Sequence, residues 1–173
     1  MRIAYTMAPD EGGTDRLLAD VAATLALRSI RTCGVVQINS RRAGSRRCDM
    51  DVTILPDGPV IRISESRGPG ARGCQLDAGA LETAVESTER SLLSGADVVI
   101  VNKFGKHEAA GRGFRSVIAE ALCRDIPVLV GLNRLNAKAF MEFTAGTAVE
   151  LKPTEAALRV WLTSQIEDAT SAA

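Results

Sequence analysis

The apolar residues of this chain fall into short unbroken runs separated by stretches with helical spacing. Residues 3–7, 32–37, 98–101 and 127–131 are continuous rather than alternating in hydrophobicity. A strand with one wet face alternates, whereas a continuous run belongs to a strand covered on both sides. Between the first two runs, Leu17, Leu18, Val21, Ala22 and Leu25 recur at the period of one helix face, and Leu76, Ala80, Leu81, Ala84 and Val85 do so before the third. Residues 113–124, 134–143 and 154–167 read as further helices, with a short strand over 147–151. Helices repeating between buried strands predict an α/β fold, a mostly parallel sheet with helices on both faces. Ligands of such sheets bind beyond the carboxyl ends of the strands.

Residues 39–73 depart from this alternation. Asp57-Gly58 stands between strand candidates 51–55 and 60–64, a strong hairpin signal, so this Arg/Gly-rich insertion is expected to be an antiparallel excursion from the main sheet. Arg41, Arg42, Arg46 and Arg47 precede it. They would hold an oxyanion bidentately, contact a protein partner, or lie solvated in a loop. Cys48 and Cys74 flank the hairpin beside Asp49 and Asp77, which makes them metal-ligand candidates against the commoner reading of buried apolar cysteine. At 173 residues the length suits one domain over 1–173.

The 21 Lys plus Arg balance 21 Asp plus Glu, and aromatics are only 3%, which argues against nucleic acid as partner. No apolar run approaches the roughly 20 residues of a membrane span, and the four cysteines form no CxxC pair. A cytoplasmic protein with reduced thiols is expected.

Two loops concentrate the chemistry. Residues 8–14 follow the first strand, where a P-loop would lie. An intact P-loop wraps phosphates in backbone N–H groups, meets them with a lysine and holds magnesium with a hydroxyl. Here Gly12, Gly13 and Thr14 run on without a lysine, and Asp10 and Glu11 would repel phosphate unless turned away. The loop is a tight structural turn or an anion site. Thr14 is the expected N-cap of the following helix, with Asp15 favoured by its dipole. The second loop leaves the strand over 98–101 with Asn102, Lys103, Lys106, His107 and Glu108, and continues through Arg112 and Gly113 into a helix. It is an ordinary polar connection or the charged wall of a ligand site.

The run VVIVNKFGKHEA is similar to the second-strand motif of the small P-loop nucleoside-triphosphatases of the thermophile type, in which an acidic pair stands where this chain has Asn102-Lys103. The segments GVVQ, RRCDMDV, RGPGARGCQLDAGALE, NKFGKHEAAGRGFRSVIAEAL and IPVLVGLN resemble, over roughly residues 3–151, an uncharacterised bacterial domain-of-unknown-function family related to those enzymes. The resemblance implies a P-loop-like fold, a nucleotide with magnesium as ligand and, from some members, a link to molybdenum transport. The lysine of the loop and the acid of the strand end are both missing, so slow or absent hydrolysis is expected. The expected anion site joins Gly12, Gly13, Thr14, Asn102, Lys103, Lys106, Arg112 and Gly113. Lys103, Lys106 and Glu108 are the candidate catalytic groups should the chain be a divergent nucleoside-triphosphatase. A protein-interaction scaffold is the third alternative.

Overall fold

The computed structural model describes residues 1–41, 48–65 and 75–171. In chain order the elements are β1 (Ile3–Thr6), α1 (Gly13–Leu27), β2 (Thr32–Arg41), β3 (Cys48–Leu55), β4 (Val60–Arg62), β5 (Ser64–Glu65), β6 (Gln75–Leu76), α2 (Ala78–Leu93), β7 (Val98–Phe104), α3 (Lys106–Ala109), α4 (Arg115–Cys123), β8 (Val128–Leu132), α5 (Ala137–Phe143), β9 (Val149–Leu151) and α6 (Glu155–Ser171). Among the described residues the main sheet has the order β4-β3-β2-β7-β8-β1-β9. β2, β7, β8, β1 and β9 are parallel to their neighbours in that series. The excursion is antiparallel, as expected: Gly34 to Arg41 of β2 pairs with Leu55 to Cys48 of β3, and β4 pairs with β3. Asp57 and Gly58 lie in the connecting turn, where the Gly58 N–H donates to the Ile54 carbonyl at 2.8 Å. The second strand candidate splits, because Ser64 and Glu65 leave the main sheet to pair with Leu76 and Gln75.

The unbroken apolar runs are explained by helices on both sides. Along β7, Val99 and Val101 face a cluster that includes Leu81 and Val85 of α2, Val117 of α4 and Phe140 of α5. Val98 and Ile100 face Leu18, Val21 and Leu25 of α1 with Leu158 and Leu162 of α6. Successive residues of a strand point to opposite faces, so two apolar layers require every position to be apolar. The pattern stops at Asn102, a buried polar residue near the carboxyl end of β7. β1, β7 and β8 end on the same edge, and their loops meet there.

No helix among the described residues is long and apolar enough to cross a membrane.

Candidate functional site

The loop after β1 turns into α1 at Gly12, which occupies the N-cap position with φ 73°. That conformation is easy for glycine and costly for other residues. Thr14 is therefore not the N-cap expected from the sequence. It lies one residue inside the helix, and its hydroxyl accepts the Ala8 N–H at 2.9 Å, pinning the two ends of the loop. The Asp10 carboxylate lies directly against Gly13, where it leaves no room for a Cβ. It also pairs with Arg16 at 2.5 Å, both side chains being more than half exposed. Gly13, which runs directly into Thr14 with no lysine between them, is thus overlaid by a carboxylate.

A cleft of about 580 Å³ opens between this loop and the ends of β7, β8 and β9. Gly12, Thr14, Asn102 and Lys103 line it, as the sequence suggested; Asn133, Arg134 and Glu150 join them without having been singled out. Four carboxylates, Asp10, Glu11, Asp15 and Glu150, face two cations, Lys103 and Arg134. Burial, followed by the neighbouring Glu150 carboxylate, raises the Tyr5 phenol above its ordinary value on the adjoining strand.

Asp15, expected only to favour the helix dipole, is buried and organises the floor. One of its oxygens accepts from the Asn102 side-chain amide at 2.8 Å, the other from the amide of Asn39. The Asn102 Oδ1 accepts the Gln37 N–H at 2.9 Å, and the Gln37 Nε2 donates to the Asn39 Oδ1 at 2.7 Å. Asn102 is thus a donor on one side and an acceptor on the other. An acid in its place would set a second carboxylate against Asp15. Gln37 and Asn39 did leave a signal in the sequence: they are polar, two residues apart and so on one strand face, at the end of an apolar run.

The loop after β7 is closed. Glu108 is buried and accepts the N–H groups of Gly105 at 2.8 Å and Phe114 at 3.1 Å. The Gly113 N–H, expected to face an anion, donates to Glu82 at 3.3 Å. The donors before α4 are therefore taken by carboxylates of the chain itself. Lys106 and Glu108 line a second cavity on the α2 face of the sheet, which Asn102 and Lys103 border as well. Arg112 and Gly113 are not among the described lining residues of either space.

Cys74, Arg42, Arg46 and Arg47 lie outside the described residues, as do the side chains of Arg41 and Cys48. No group of three His, Cys, Asp or Glu placed to hold a metal occurs among the described residues. Magnesium prefers one or two fixed carboxylates together with substrate phosphates and water. Both oxygens of Asp15 are engaged by amides, and Asn102 stands at the strand end. Asp15 is thus a carboxylate fixed by two amides, with no second acid beside it at the end of β7. The Cys33 thiol is raised by burial and is not poised as a nucleophile.

Residues 3–161 match the family model described as protein of unknown function (DUF2478). The chain belongs to that family. It is also 32% identical over 160 residues to the molybdenum import ATP-binding protein ModC 2 of Bradyrhizobium diazoefficiens, covering 92% of this chain but 18% of that relative. Among solved structures, THEP1 from Aquifex aeolicus superimposes with a TM-score of 0.61 at 19% identity, over 95% of this chain and 96% of that one. A human cancer-related nucleoside triphosphatase gives 0.64 at 18% identity, over the whole of both chains. These likenesses are of fold, and the fold is that of the small P-loop nucleoside-triphosphatases.

Proposed function

We propose that this member of the DUF2478 family binds a nucleotide, or another phosphate-like oxyanion, in the cleft at the carboxyl ends of β1, β7 and β8, with little hydrolysis and in a regulatory capacity. Two features support binding. The fold is one that handles nucleotides at this edge, and neither Lys103 nor Arg134 of the cleft has an ion-pair partner among the described residues. The observation that carries weak turnover is Asn102. Its amide is committed on one side to Asp15 and on the other to Gln37, so the strand end offers no carboxylate for a metal or an attacking water. Gly13 removes the lysine as well. Without the groups that stabilise transition-state charge, bound phosphate is held rather than cleaved.

The relative's name joins ATP binding to molybdenum import, so molybdate belongs among the ligands tested. The chain would work in the cytoplasm, where a buried free thiol at Cys33 and an exposed one at Cys123 remain reduced.

Isothermal titration with ATP, ADP, GTP, sulfate and molybdate, followed by a phosphate-release assay with magnesium, tests the reading. The expected result is binding that weakens with salt and turnover well below the ordinary range of roughly 1–1,000 per second. Turnover within that range, abolished by Lys103→Ala, would overturn weak hydrolysis in favour of a divergent nucleoside-triphosphatase. Absence of binding by every ligand would leave an interaction scaffold.

A further inference from the structure

The second cavity, on the other side of Asn102 and Lys103 from the cleft, has a different chemistry. Its volume is about 220 Å³, below the roughly 300–1,000 Å³ of sites for drug-sized molecules. The floor is apolar, built by Val35 of β2, Val52 of β3, Ile63, Leu81 of α2 and Phe114. The rim is cationic, with Lys103 and Lys106 exposed and neither paired to a carboxylate among the described residues. Glu108, the one carboxylate among the described lining residues, is already satisfied by two backbone N–H groups. His107 also lines the cavity, and its Nδ1 is buried without a hydrogen-bond partner. Buried polar atoms without partners are rare and ask for one.

We propose that this cavity binds a small amphipathic monoanion, an apolar aliphatic or aromatic body carrying one carboxylate. The body would replace water on the Val52 and Leu81 floor, where removal of apolar surface drives association. The carboxylate would lie at the rim between Lys103 and Lys106, within the field of two uncompensated ammonium groups. The anion of the cleft and this ligand are separate in chemistry, since the cleft sets four carboxylates and two cations among apolar side chains such as Met7 and Leu132, whereas the cavity is mainly apolar with cations at its rim. Lys103 borders both spaces, so occupancy of one is felt at the other.

Methyl NMR on the full chain tests the site, with octanoate, benzoate, acetate and 1-octanol as probes. Octanoate or benzoate is expected to shift the Val52 and Leu81 methyls saturably, with Kd below about 1 mM. Acetate, which lacks the body, should leave them unmoved, and 1-octanol, which lacks the charge, should bind about fivefold or more weakly. The tighter of octanoate and benzoate assigns an aliphatic or an aromatic ligand. Val52→Phe fills the floor and should abolish the shifts; where that variant does not fold, exposed Lys106→Gln should still weaken octanoate about threefold or more. No saturable shift from either carboxylate, equal binding of 1-octanol, or shifts that survive both variants would each overturn the proposal.

Discussion

The loops after β1 and β7 leave the same sheet edge and both run through glycines into helices, yet they use their carboxylates oppositely. After β7, Glu108 is buried and bridges the N–H groups of Gly105 and Phe114, while Glu82 takes that of Gly113. After β1, Asp10 lies over Gly13 but pairs with a solvent-exposed arginine, and the loop lines an open cleft. A helix start in a P-loop fold is therefore available to a ligand only where no internal acid has already satisfied it.

The largest effect separating the two loops is on stability. Glu108→Ala should cost about 3 kcal/mol in urea unfolding, because it strands two N–H groups, the buried one of Phe114 and the part-buried one of Gly105. Asp10→Ala, which loses an exposed ion pair, should cost less than about 1 kcal/mol. Comparable losses would break the distinction.

Asn102→Asp comes next, at about 2 kcal/mol or more, since it sets a carboxylate against buried Asp15. A carboxyl held above its ordinary value in the folded state loses stability as pH rises. The cost should therefore be greater at pH 8 than at pH 5, and urea midpoints at the two pH values measure it. The same variant should not acquire rapid hydrolysis, because the loop between β1 and α1 still carries no lysine.

Asp10→Asn should improve ATP affinity in the cleft by no more than about fivefold, the worth of one exposed charge. Titration at low and high salt checks this, and the gain should shrink as ionic strength rises. Smallest is Glu82→Gln, at about 0.5 kcal/mol. Its bond to Gly113 is long and Glu82 is exposed, so water can replace it. A loss matching that of Glu108→Ala would show that both acids close the β7 loop equally.

Much of the fold was legible because it rests on local periodicity. The continuous runs at 98–101 and 127–131 require two covered faces, and Asp57-Gly58 between strand candidates marks a hairpin. The candidate site was legible only in part. Gly12, Thr14, Asn102 and Lys103 could be placed at the cleft from strand ends and loop position alone. Thr14 misled as a cap because the positive φ of Gly12 starts the helix two residues earlier. Lys106 and Glu108 were expected beside the cleft because they follow Lys103 closely. The turn into α3 carries them instead to the cavity on the α2 face.

By itself the sequence determined the parallel sheet, its antiparallel excursion and the edge where the loops gather, since all three follow from residue spacing over a few turns or strands. Only the tertiary structure decided which polar groups are free. Asp15 finds Asn39 24 residues away and Asn102 87 residues away, and those bonds turn an apparent dipole residue into the floor of the cleft. Glu108 is consumed by N–H groups that the loop folds back upon it. A carboxylate in a sequence carries charge and an acceptor; whether it serves a ligand or the chain's own backbone depends on donors brought near by folding.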